Sequence, residues 1–157
     1  MEYFAGWHPQ VVHFAIALLV VYVLLELTGI IFNRDFFSKA AHLILFLGVL
    51  AGLVAVLTGN QAFQVAAKLK DQGIKIPLNA INQHEDAANL VVWYFTILLV
   101  IRTFLVIKKR FIGYIKYIFI VLALIGSFLV YRAGDLGGKL VYKYGVGTDF
   151  IKKEISK

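Results

Sequence analysis

His8 to Ile31 reads HPQVVHFAIALLVVYVLLELTGII, an apolar run interrupted by one carboxylate and no Lys or Arg. A helix crossing the hydrocarbon core of a bilayer needs about 20 such residues. This run meets that length, and the rest of the chain can be read as three more like it with short returns between them. Composition agrees. The chain is 61% hydrophobic and 16% charged, with a mean hydropathy of +0.80. A soluble domain is about half apolar and about a quarter charged. The excess apolar surface calls for lipid.

The expected fold is all-α: a single polytopic membrane domain over residues 1–157, built as a four-transmembrane-helix antiparallel bundle. The spans fall at about 9–32, 39–63, 83–107 and 112–132, with a glycine-rich C-terminal tail over 133–157. Pro9 suits the first turn of the first span, where its missing N–H costs nothing. Ser38 reads as the N-cap of the second. Asn82 with Glu85 has the form of a capping box for the third. Gly134 closes the fourth. The turns at 33–38 and 108–111 are short, which makes antiparallel neighbours. The link from Ala67 to Ile81 is longer and is expected at the interface. GGKLVYKYGVG in the tail is expected as a short strand or an amphipathic flap.

Several functions are disfavoured. Without cysteine there is no disulfide, no Fe–S ligation and no Cys-x-x-Cys-His haem attachment. The net charge of +7 is spread over turns and tail rather than gathered on one solvated face, so nucleic acid is not the expected partner. MEYFAGWHP carries no Lys or Arg, so the first span is expected to be retained rather than cleaved as a secretory signal. His84-Glu85 lacks the second histidine of a His-Glu-x-x-His metallohydrolase helix. No G-x-S-x-G elbow is present, and no catalytic residue is assigned.

Topology is harder to read. Arg34, Lys39, Lys108, Lys109, Arg110 and Lys116 lie at one face, and Lys68, Lys70, Lys75, Arg132, Lys139 and Lys143 at the other. The positive-inside rule is balanced. The dense KKR turn and the uncharged N-terminus favour both termini outside, in the periplasm of a bacterial inner membrane.

Polar residues in the spans form two layers. Near the face holding the termini lie His8, His13, Thr58, Asn60, Gln61, His84, Glu85, Asp86, Asn89, Arg132 and Asp135. Near the other face lie Glu26, His42 and Arg102, one on each of three spans. Ionisable groups at membrane depth are costly and normally turn inward, so Glu26, His42 and Arg102 are expected to satisfy one another. The expectations are a register-fixing ion pair, a proton or ion relay, or side chains that simply reach the headgroups.

In the first layer, His13 and His84 sit at the same end of antiparallel helices. Two facing imidazoles can ligate a haem b on both sides. Arg132 and His8 are then candidates for the propionates, and Gly52 or Gly59 for the ring face. Gly48-x-x-x-Gly52 is more often a helix-packing face than a cofactor groove. His13 and His84 with nearby carboxylates are also candidate ligands for Zn²⁺ or Cu²⁺.

His8-Pro9, Val12-His13-Phe14, Ile16-Ala17-Leu18, Thr58-Gly59, the histidine before span three, Gly137-Gly138-Lys139-Leu140-Val141-Tyr142 and Gly145-Val146-Gly147 together resemble a known family. It is the family of small predicted bacterial membrane proteins called domain of unknown function 2231. The resemblance covers nearly the whole chain. It departs at Ala15, where the family pattern has Pro. The resemblance implies a four-span membrane protein and supplies no activity.

Three functional expectations follow. The first is a haem-b electron-transfer subunit passing electrons to a quinone or a partner subunit. The second is an accessory subunit of a larger membrane complex, or of a homo-oligomer, without a cofactor. The third is a metal-binding or ion-transport protein. Four spans without repeats or broken helices argue against a lone secondary transporter.

Overall fold

The computed structural model of the protein describes residues 4–148. A 3-10 turn, Ala5–Trp7, leads into four helices: α1 (His8–Ile31), α2 (Asp35–Asp71), α3 (Leu78–Ile107) and α4 (Tyr114–Tyr142). Each is long and apolar enough to cross a membrane. No strand occurs among the described residues. Every helix packs on its neighbours in chain order, and α4 closes the ring against α1, so α1 and α3 lie across one diagonal and α2 and α4 across the other.

The helices stop for a shared reason. α1, α2 and α3 each end with one left-handed residue: Asn33 (φ 47°), Gly73 (φ 88°) and Lys109 (φ 54°). After each, the chain donates back into the helix, with Arg34 N–H to Gly29 O at 2.9 Å, Ile74 N–H to Leu69 O at 3.1 Å and Arg110 N–H to Leu105 O at 2.8 Å. This is the Schellman closure, in which orphan carbonyls of the last turn gain donors.

The starts and lengths differ from the sequence reading. α2 begins at Asp35, not Ser38, because Ser38 gives its oxygens to Arg102 instead of capping the helix. α3 begins at Leu78 after Pro77, so Asn82 and Glu85 lie inside the helix rather than at a cap. α4 runs through Gly134, Gly137 and Gly138 to Tyr142. The first part of the expected flap is therefore helix. Val146 then folds back, its N–H donating to Leu140 O at 2.9 Å. The part of the tail from residue 149 lies outside the described residues.

In lipid, helices gain little from hiding apolar surface from one another, and small residues that permit close approach matter more. The α1–α2 pair shows this. A Cβ on Gly29 would lie 2.8 Å from Ser38 N, and one on Gly48 would lie 2.8 Å from Leu19 Cδ2. The main core gathers Leu19, Tyr22, Leu45, Val49, Phe95, Phe119, Ala123 and Val130. A second small cluster of Ala66, Ile81 and Leu140, with Phe63 and Val146 against it, caps the end where the described chain starts and finishes. Large apolar side chains such as Leu24, Leu57, Val100 and Phe128 point outward on all four helices, where lipid would solvate them. Exposed Trp7 and Tyr131 at one end and Tyr114 and Tyr117 at the other suit interfacial belts.

Candidate functional site

Between the main core and the capping cluster lies a polar layer built on two histidines. Thr58-Gly59 sits on α2 between core Val49 and cap residue Phe63. His84 sits on α3 between cap residue Ile81 and core-packed Ala87, and Ala133 to Gly137 sits on α4 between Val130 and Leu140. The layer is thus closed above and below by apolar side chains.

His8 enters from the start of α1. Its Nδ1 lies 3.0 Å from Thr58 Oγ1. Thr58 Oγ1 also lies 3.0 Å from Ala55 O. A hydroxyl both donates and accepts, so this contact fits either tautomer of His8. The ring lies on Gly59, where a Cβ would stand 3.0 Å from its Cε1. His84 repeats the arrangement on the other half of the bundle. Its Nδ1–H donates to Ala133 O at 3.1 Å. Its ring lies on Gly137, where a Cβ would stand 2.9 Å from Cε1. Ala133 and Gly137 are one helical turn apart, so one face of α4 supplies both the acceptor and the space for the ring.

The carbonyl partner of His84 only accepts, so His84 holds its proton on Nδ1 and leaves the Nε2 lone pair as the basic site. His8 takes the same form when its Nδ1 donates to Thr58. A histidine oriented through Nδ1 to a carbonyl or hydroxyl with Nε2 free is the arrangement that metal-ligating histidines use.

His13 lies outside this pair. Its side chain is exposed on α1, and its Nδ1 reaches Pro9 O at 2.6 Å within its own helix. Arg132 is also exposed. Gly52 faces Val92 of α3, whose Cγ2 would lie 3.1 Å from an added Cβ, so its contact is helix on helix. Gly59 does meet a ring, that of His8. Among the described residues no three His, Asp or Glu side chains converge as a metal-ligand set. The sequence reading weighted His13 above His8. It missed Gly137 as the seat of His84, because the glycine pair read as tail rather than helix.

At the opposite end, Glu26 and Arg102 meet across the α1–α3 diagonal. Arg102 Nη2 is 2.7 Å from Glu26 Oε2, and Nε is 3.3 Å from Oε1, with the two side chains 1% and 0% exposed. Arg102 Nη2 also donates to Ser38 O at 3.0 Å, which ties in α2. The guanidinium lies 4.6 Å from the Phe111 ring centroid. His42 does not join this pair. Its Nε2 is 3.5 Å from Thr103 Oγ1, and its Nδ1 is buried without a protein partner.

The model of the family described as "Predicted membrane protein (DUF2231)" matches residues 6–150. The chain belongs to this family. No curated protein and no solved structure matches it. It is an integral membrane protein with four spanning helices. Some of the residues by which the sequence resembles the family lie together in this layer, while His13 is exposed outside it. His8-Pro9, Thr58-Gly59, His84 and Gly137 come from four helices and meet in one layer.

Proposed function

We propose that this layer is a cofactor site with His8 and His84 as the two imidazole ligands, and that the cofactor is a b-type haem. The observation that carries the reading is the matched placement: two imidazoles from different helices, each held through Nδ1 against a protein oxygen and each lying on a glycine. A ligand set of two suits a porphyrin, because the macrocycle supplies the remaining four nitrogens. A structural Zn²⁺ asks for four protein ligands. A haem so held supplies one-electron transfer at one membrane face.

The residues have separable roles. Thr58 and the Ala133 carbonyl orient the rings. Gly59 and Gly137 give the rings room. The core and cap clusters exclude water. Arg132, exposed on α4 one residue before Ala133, is a candidate to meet propionates at the interface. A quinone or a partner subunit is the proposed electron acceptor. We place the chain in a bacterial inner membrane with both termini outside.

The same hydrogen bonds also support the accessory-subunit reading, in which each imidazole simply ties two helices together. A reduced-minus-oxidised optical spectrum of protein purified in mild detergent from haem-sufficient cells separates the two. The haem reading expects a sharp α band and about one haem per chain. It expects loss of that band in His8→Ala and in His84→Ala, and retention in His13→Ala. A featureless wild-type spectrum from folded protein would leave the helix-tying role alone.

A further inference from the structure

The end of the bundle opposite the histidine layer holds a cavity of about 420 Å³. It opens between the start of α2, the end of α3 and the first turn of α4. Its walls carry Lys39, Lys109, Lys116 and Arg102, with Ser38 and His42; the one lining carboxylate is Asp35. We propose that this cavity binds a phosphoryl anion, carried either by a lipid headgroup or by a free phosphate. The proposal is independent of what the histidine layer holds.

Charge points to an anion. Arg102 is neutralised by Glu26, but Lys39, Lys109 and Lys116 have no carboxylate within ion-pair distance among the described residues. Arg34, Lys108 and Arg110 stand at the same end and add to the field.

Donor geometry points the same way. A guanidinium has five N–H groups. Those on Nε and Nη2 of Arg102 are used by Glu26 and Ser38. Nη1 has no protein acceptor among the described residues, yet it is not among the sealed, unpartnered atoms. The cavity that Arg102 lines is therefore where its two remaining hydrogens can be used. Glu26 and Phe111 fix the guanidinium plane, so Nη1 is held in place to donate to an anion in the cavity. His42 Nδ1, sealed without a protein partner, lies on a side chain of the same wall.

Backbone geometry adds an independent sign. Lys109 holds φ 54° at the closing position of α3, where glycine is the usual residue. A non-glycine residue kept in a disfavoured conformation at a cavity wall suggests that its side chain is needed there. The other end of the molecule makes a contrast. There Lys139 spends its charge on Asp135 at 2.6 Å.

The test uses the full chain in a mild, uncharged detergent at low salt. Binding is titrated by calorimetry with dioctanoyl phosphatidylglycerol, dioctanoyl phosphatidylcholine and inorganic phosphate. The variants are Lys109→Gly, the triple Lys39→Gln/Lys109→Gly/Lys116→Gln, and Lys139→Gln as the control at the other end. Lys109→Gly removes the charge while easing the backbone, so weaker binding there does not come from misfolding. The expected loss is roughly fivefold for each lysine removed and on the order of a hundredfold for the triple variant, with Lys139→Gln unchanged. Saturable phosphatidylglycerol binding well above phosphatidylcholine identifies a lipid-borne group. Phosphate binding with the same lysine dependence, and no preference between the lipids, identifies the free anion. No saturable binding of either anion, or binding that the triple variant retains in full, overturns the proposal.

Discussion

Two neighbouring glycines on α4 sit in opposite circumstances. A Cβ at Gly137 would press on His84 Cε1 at 2.9 Å, whereas one at Gly138 meets nothing within 4 Å. His84 cannot swing aside without losing its bond to Ala133 O. Gly137→Ala is therefore expected to cost about 1–3 kcal/mol as overpacking, and to reduce whatever the imidazole binds. Gly138→Ala is expected to be neutral or to gain up to about 1 kcal/mol, since alanine favours helix over glycine. Thermal unfolding of both variants in one detergent checks the pair. Equal effects would mean that the ring does not depend on that glycine. At this scale the sequence was only partly legible. Spacing along a helix says which residues share a face, but not which face turns inward at a span end. His13 and His8 are five residues apart, and only the placement of α1 against α2 turns His8 onto Thr58 and leaves His13 outside. Ala133 contributes a carbonyl, a group every residue has, so no sequence signal could have named it.

Among the elements, the diagonal between α1 and α3 is bridged by Glu26 and Arg102, and Ser38 adds α2 to the same node. Removing one charge of a buried pair leaves the other uncompensated, at about 3–5 kcal/mol, while replacing both with residues of similar volume is often close to neutral. Glu26→Gln and Arg102→Met should each lower stability strongly, and the double variant should lose much less than their sum. A double-mutant cycle by chemical unfolding in detergent measures this coupling. An additive result would mean that the two side chains do not depend on each other. The pair was legible because ionised groups at similar depth on different spans have few other partners. Helix ends were less legible for a related reason. Ser38 has the chemistry of a cap, but a buried guanidinium competes for the same oxygens and takes them. Gly134, Gly137 and Gly138 look like helix breakers by propensity. They continue α4, which carries Leu140 into the cap cluster and sets Gly137 under the His84 ring.

For the whole molecule, four spans in a closed ring put the α2–α3 link and the end of α4 at one end, and the α1–α2 and α3–α4 turns at the other. The four-span fold was legible because each run exceeds the bilayer length and carries too few charges to lie in water. The direction of the bundle was not, since basic residues divide evenly between the two ends. The chain itself offers a direct test, because it contains no cysteine and any introduced thiol is the sole labelling site. Lys75, Lys108 and Lys143 are exposed and make no ion pair among the described residues, so cysteine at each should leave the fold intact. With a membrane-impermeant maleimide on intact spheroplasts, Lys75→Cys and Lys143→Cys are expected to behave alike, and Lys108→Cys oppositely. The KKR turn, of which Lys108 is the first residue, favours the cytoplasmic side, so Lys108→Cys should label only after permeabilisation. Labelling of all three from one side would break the four-span ring. Exchange of the two groups would keep the ring, reverse its direction, and move both the histidine layer and the basic cavity to the opposite leaflets.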